Sequence, residues 1–315
     1  VERVLVCRFH SLGDVVLASG IVARLADTGV RVEVATAKGL RPVFEGLPVA
    51  DIWEPGDLPR LGTFDRVLDL QSNATSRRLL APCGPAVRTR GRSFARRWMV
   101  FWGRRAPSFP VPHCAQRYGE TAGWGGLDAR SLRPRMVVTD RDREEGRALG
   151  HAWASTESPC VGLAPGASRA MKRWPAERFD ALERDLGARG LRTIRFEEPT
   201  RVAEEGEGFV RATLRPLKAI LERCKALVTN DSGMMHLAVG LGVPVIAIFG
   251  STVLEFGFGP LGDRDTVLEH DLACRPCAPH GARFCWQGHA GCLRGIAVDD
   301  VLAAVLEGAR AAGGS

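Results

Sequence analysis

The sequence predicts an α/β chain built from two parallel-sheet halves. Three observations carry that reading. Each half opens on a short apolar strand that runs into a polar, glycine-containing turn and then a helix: Val4-Leu5-Val6-Cys7 before His10 to Asp14, and Cys160 to Ala164 before Pro165 to Ser168. Apolar runs then alternate with helical stretches, as crossovers between parallel strands require. Val243 to Phe249 reads VPVIAIF, the continuous apolar run of a strand buried on both faces. The chain has 315 residues, enough for two domains of moderate size, and its apolar content of 45% supplies a core for each.

The elements follow in order. Val15 to Ala26 is a helix whose Leu17, Ile21, Val22 and Leu25 fall on one face. Strands are expected at Val30 to Ala35, Ala50 to Trp53, Val67 to Leu70 and Ala86 to Thr89. The charged run Asp140 to Glu145 reads as a helix closing the first half, residues 1–155, with a linker around Ser155 to Pro159. The second half, 156–297, continues with a helix from Pro175, where proline suits the first turn, to Ala188. A strand at Leu191 to Phe196, a helix at Pro216 to Cys224 and a strand at Ala226 to Val228 follow. Thr229-Asn230-Asp231-Ser232-Gly233 then leads into a helix from about Met234, with Asp231 or Ser232 placed to cap it. The last segment, 298–315, holds a helix long enough to reach back to the first half.

Net charge is +7, which favours an anionic partner. Only Lys38, Lys172, Lys218 and Lys225 among the 43 basic residues are lysines. Seven arginines between Arg88 and Arg105, Arg96 and Arg97 among them, surround Trp98-Met99-Val100-Phe101-Trp102. Two readings stand: a solvated basic helix with inward aromatics, or a surface for phosphorylated, membrane-embedded acceptors. No nucleic-acid module is recognised, so nucleic acid is not an expected partner. No signal peptide or run of about 18 apolar residues is seen, which leads to the expectation of a cytoplasmic protein.

Several chemistries are excluded or weakened. The chain has no G-x-x-x-x-G-K-[ST] loop and no G-x-G-x-x-G after its first strand, against a P-loop NTPase and a nicotinamide dehydrogenase. His10, Ser11 and Asp14 come from a single turn, without a nucleophile elbow, against a hydrolase triad. What remains is a polar turn at a strand end in each half. Asp14 offers a carboxylate. The N–H groups at Ser232-Gly233, where a helix begins, suit a diphosphate, and Lys172 offers a positive charge. That is the layout of a sugar-transfer enzyme.

Val4 to Leu17 with its Ser11-Leu12-Gly13-Asp14 turn, Pro165-Gly166-Ala167-Ser168 with Lys172-Arg173-Trp174-Pro175, and Thr229 to Gly233 with His236-Leu237-Ala238 together resemble glycosyltransferase family 9, the bacterial heptosyltransferases. The resemblance implies a GT-B architecture: two Rossmann-like domains facing across a cleft, the first for acceptor and the second for nucleotide-sugar. It implies an inverting, metal-independent transfer from an ADP-sugar, with Asp14 as general base and Lys172 stabilising the departing diphosphate. Ser168, Asp231, Ser232, Gly233 and His236 would line the donor, and Glu197 and Glu198 compete for its ribose. Ser11, Gly13, Arg96 and Arg97 are acceptor-side candidates. The acceptor is expected to be an anionic or lipid-linked glycan of the lipopolysaccharide kind, with contact to the inner membrane face. A protein-directed heptosyltransferase, a nucleotide-sugar-modifying Rossmann enzyme and a non-catalytic sugar-nucleotide-binding module stand as alternatives.

Nine cysteines without a visible export signal do not suggest a disulfide framework. Four are clustered, Cys274-x2-Cys277-x7-Cys285-x6-Cys292, with His280 and His289 nearby. Tetrahedral thiolate sites tolerate such loops, and the resemblance extends to relatives with an iron-binding four-cysteine finger. The alternatives are a structural zinc or iron and a set of reduced thiols; no catalytic cofactor is expected.

Overall fold

The structure is a computed structural model, and it describes residues 1–315 apart from 92, 103–110, 155, 157, 159, 197–203, 207–208 and 312–315. The chain divides into two compact units, one of Val1–Gly91 and Pro112–Thr139, the other of Arg92–Val111 and Asp140–Ser315.

The first unit is a five-stranded sheet of β1 (Arg3–Cys7), β2 (Arg31–Ala35), β3 (Asp51–Trp53), β4 (Arg66–Asp69) and β5 (Ala86–Arg88). Its order is β3-β2-β1-β4-β5 and every pairing is parallel. Helix α1 (Leu12–Ala26) follows β1 and buries the predicted face, Leu17, Ile21, Val22 and Leu25. Helices α2 (Ala74–Leu80) and α4 (Cys114–Thr121) each start in a capping box, from Asn73 with Ser76 and from His113 with Gln116.

The second unit contains α3 (Ser93–Trp102), α5 (Asp140–Arg147) and α6 (Gly150–Ala154). Its sheet takes β6 (Cys160–Ala164), β7 (Arg192–Phe196), β8 (Glu204–Gly206), β9 (Phe209–Arg211), β10 (Ala226–Asn230), β11 (Val245–Phe249) and β12 (Thr266–Glu269) in the order β12-β11-β10-β6-β7-β9-β8. All pairings are parallel except β8 with β9. Helices α7 (Ala176–Gly187), α8 (Leu214–Leu221), α9 (Gly233–Gly240), α10 (Gly291–Arg294) and α11 (Val298–Ala311) complete it. Trp174 meets Phe179 edge to face at 5.1 Å inside the core beneath α7 and α11.

Both sheets are doubly wound. In the first, the strand order reverses between β1 and β4; in the second, between β6 and β10. Ligands bind such sheets outside the carboxyl ends of the strands at the reversal. The turns after β1, β6 and β10 are the three polar turns singled out from sequence.

Two expectations about domain extents change. The helix Asp140–Arg147 was expected to close the first half, with a boundary near residue 155, yet it packs on α8 of the second unit. The cause is a fully buried ion pair, Lys218 Nζ to Asp142 Oδ2 at 2.7 Å, with Arg215 3.5 Å from the same carboxylate. Helix α11 lies on α7, β10, β11 and β12, within the second unit. Its buried Val301, Leu302 and Val305 belong to that unit's core.

Candidate active site

The first centre gathers around Asp14 in the opening turn of α1. Its Oδ2 lies 2.5 Å from Nη2 of Arg8, whose Nη1 also donates to the Leu70 carbonyl at 2.9 Å. On the other oxygen, the Tyr118 hydroxyl and the Cys114 thiol approach Oδ1 at 3.4 and 3.6 Å. Burial, followed by the charge of Asp14, pushes the Tyr118 phenol well above its usual range and the Cys114 thiol up to about 11. Both therefore face the carboxylate as protonated donors.

Asp14 is thus no helix cap. Ser11 occupies the cap position of α1 with φ of 70° and makes no side-chain cap hydrogen bond. Ser72, after the neighbouring strand β4, also has a positive φ, of 52°. Such backbone costs about 1–3 kcal/mol where the surroundings impose it. Register explains the clustering, because Cys7 at the end of β1 stands opposite Asp69 at the end of β4. Buried Asp69 accepts from the N–H groups of Gln71 and Ser72, which shapes the second turn. Gly13 lies beside Asp14 in α1, half-buried. Exposed His10 is bonded to Gln71 at 2.7 Å, away from any triad.

The second centre is built by β6 and β10. Ala164 pairs with Thr229, so the turns that follow emerge side by side. Asn230, buried at the end of β10, ties them: its amide donates to the Pro165 carbonyl at 2.7 Å and accepts from Trp174 N–H at 2.9 Å. That stitch brings Lys172 Nζ to 2.8 Å from Asp231 Oδ2, both side chains about nine-tenths buried at 12% and 11% exposure. Thr252 Oγ1, after β11, donates to the same Asp231 oxygen at 2.7 Å. Ser232 is the cap residue of α9, but its hydroxyl lies 3.3 Å from Thr229 Oγ1 and makes no cap bond. Gly233 opens the helix and His236 is buried in its first turn, 5% exposed. Ser168 is exposed in the turn after β6.

Not every predicted site residue falls into place. Glu197 and Glu198 lie outside the described residues. Arg96 is no part of an exposed basic surface: it is buried, its guanidinium 4.5 Å above the Phe258 ring, and it sits in the second unit. The opposite face of α3 is outward, with Phe94, Phe101 and Trp102 exposed and Arg97 beside them. Among the described residues no three Cys, His, Asp or Glu side chains form a ligating group, while the thiols of Cys274, Cys285 and Cys292 lie near enough to act on Cys277. Burial first, and then the neighbouring cysteines, push Cys277 up to about 11 and raise Cys292. The Ala290 N–H, bonded to the sulfur at 3.4 Å, lowers Cys285.

Comparison with known proteins decides the family. The family model described as glycosyltransferase family 9 (heptosyltransferase) matches residues 60–285. The chain belongs to this family. Lys172 and Asp231 lie within the matched stretch and Asp14 before it. This family 9 chain is 31% identical over 205 residues to lipooligosaccharide heptosyltransferase 2 of Haemophilus influenzae, which is 58% of this chain and 59% of that one. It thus spans less than two thirds of that relative's length. Its fold, that of the GT-B heptosyltransferases, matches ADP-heptose lipopolysaccharide heptosyltransferase II of Escherichia coli with a TM-score of 0.69 at 19% identity, over 99% of each chain. It also matches the iron-containing dodecameric glycosyltransferase TibC of enterotoxigenic E. coli, with a TM-score of 0.63 at 15% identity over 98% of this chain and 76% of that one.

Sequence reasoning missed Arg8, Cys114, Tyr118 and Thr252 as members of the two centres. One signal was available for Tyr118, which is the single tyrosine of the chain.

Proposed function

We propose that this family 9 chain is an inverting, metal-independent glycosyltransferase that moves a heptose from ADP-heptose to a saccharide acceptor of lipopolysaccharide or a related glycan. The observation that carries the reading is the placement of opposite chemistries at the two strand-order reversals. One unit holds a carboxylate, Asp14, and the other a lysine, Lys172, beside the amino end of α9.

In this reading the acceptor hydroxyl attacks the anomeric carbon as Asp14 takes its proton, and the bond to the diphosphate breaks on the opposite side, which inverts the centre. Arg8 holds the Asp14 carboxylate in place before the step. Charge developing on the diphosphate is met by the Lys172 ammonium and by N–H groups at Ser232 and Gly233, donors already in place before reaction. Asp231, itself held by Thr252, holds Lys172, while Ser168 and His236 flank the donor. Ser11, Gly13 and Arg97 serve the acceptor. The outward aromatic face of α3 beside Arg97 supports an acceptor presented at a membrane surface, on its inner side.

The test is release of ADP from ADP-heptose in the presence of a truncated lipopolysaccharide core, followed for the native chain and for Asp14→Asn. Turnover that survives unchanged in the variant sinks the assignment of the base. Turnover with UDP- or GDP-sugars but not with ADP-heptose sinks the donor.

A further inference from the structure

The cysteine-rich segment after β12 holds none of the groups used in the reaction proposed above. Its backbone is nevertheless sewn to both walls of the Lys172 centre. On one side Met171 N–H donates to the Ala282 carbonyl at 3.2 Å, one residue before Lys172. On the other, Cys277 N–H donates to the Ser251 carbonyl at 3.0 Å and Ala282 N–H to Ser251 Oγ at 3.1 Å. Ser251 N–H closes the ring by donating to the Met171 carbonyl at 2.9 Å.

Two residues of the segment act at closer range. Arg275, 1% exposed between Cys274 and Cys277, donates from Nη2 to the Thr252 carbonyl at 2.7 Å and pairs with Glu269 at 3.0 Å. Thr252 is the residue whose hydroxyl holds Asp231. Gly281, with φ of +85°, passes under the Lys172 side chain: a Cβ there would stand 2.5 Å from Lys172 Cδ and 2.7 Å from its Cγ. No L-residue adopts that backbone without strain, and no side chain fits while Lys172 keeps its course.

We infer that residues 272–292 form a positioning element for Lys172, with Gly281 as the residue that sets the path of the lysine side chain and Arg275 as the tie to its Asp231–Thr252 anchor. The inference rests on Lys172 acting on the leaving diphosphate. It gives the segment a role in catalysis through backbone and packing, independent of whether its thiols carry a ligand.

A double-mutant cycle on ADP release separates the possibilities. Gly281→Ala is expected to lower kcat by about 10²-fold, the effect of displacing a reacting group by about 1 Å. In a Lys172→Ala background, where the obstructed side chain is gone, the same change is expected to alter kcat less than about twofold. The thermal midpoint falls in both backgrounds, and less in Lys172→Ala, where the clash is gone and only the backbone strain at residue 281 remains. An equal kcat loss in both backgrounds, or none in the native one, overturns the inference. Should Gly281→Ala fail to fold, Ser251→Ala, which frees Ala282 N–H, is run through the same cycle with the same criteria. If Lys172→Ala alone leaves turnover intact, the leaving-group assignment itself has failed, and the two failures are distinguished.

Discussion

Tyr118 places its hydroxyl 3.4 Å from Oδ1 of Asp14, while Arg8 holds Oδ2 at 2.5 Å. The carboxylate is thereby gripped through both oxygens, by one cation and by donors that burial keeps protonated. Contacts on both oxygens fix the orientation of a carboxylate inside a partly buried turn.

The proposed role of Asp14 as proton acceptor gives the first test. Asp14→Asn is expected to lower turnover by about 10²–10⁴-fold, the usual contribution of a positioned base. The protein should remain folded by circular dichroism, and the donor KM should hold.

Loss of the lysine acts on the other side of the reaction. Lys172→Met should lower kcat by roughly 10²–10³-fold, as removal of one charge-stabilising donor does. It should also weaken ADP binding, measured by calorimetry, since the product carries the same diphosphate.

The buried pair that fastens α5 to α8 is a stability element. Lys218→Met leaves the fully buried Asp142 carboxylate with Arg215 as its nearby cation, so the cost is expected to stay below about 3–5 kcal/mol, that of breaking an isolated buried pair. Urea denaturation measures it. Replacing both partners by apolar residues of similar size should restore most of the loss.

Alkaline pH should erode the first unit in a defined sense. Cys114 and Tyr118 have folded values above their unfolded ones, so the unfolded chain releases their protons first as pH rises. Their contribution is fully present below about pH 8.5 and declines as pH climbs through about 11 and beyond. Cys114→Ala should remove the earlier part of that decline and Tyr118→Phe the later part, in stability measured against pH. With one tyrosine in the chain, the phenolate absorbance reports Tyr118 alone.

On the acceptor side, Arg97→Ala is expected to raise the acceptor KM several-fold with the donor KM unchanged. Arg96→Ala should instead lower the thermal midpoint, because its guanidinium is packed over Phe258. Initial-rate kinetics and a melting curve separate the two arginines.

Local pattern was enough for the scaffold and for half of each centre. Strands such as Cys160–Ala164 and helices such as Val298–Ala311 are written in apolar periodicity and in their flanking polar turns, which act over a few residues. Asp14, Lys172 and Asp231 stand in such turns and were legible for that reason, helped by their resemblance to family 9. The outward side of α3 was not legible, since the pattern shows two faces without saying that Phe258 will claim the one carrying Arg96. The domain boundary escaped for the same reason: only the meeting of Asp142 with Lys218, distant in sequence, decides where α5 packs. Tyr118 lies 104 residues from Asp14, and Gly281 over a hundred from Lys172, so no local signal joins them. By itself the sequence determined the strand, polar turn and helix in which Asp14, Lys172 and Asp231 stand; the tertiary structure decided which partners hold them, because a strand order that reverses brings distant turns together and periodicity carries no record of that pairing.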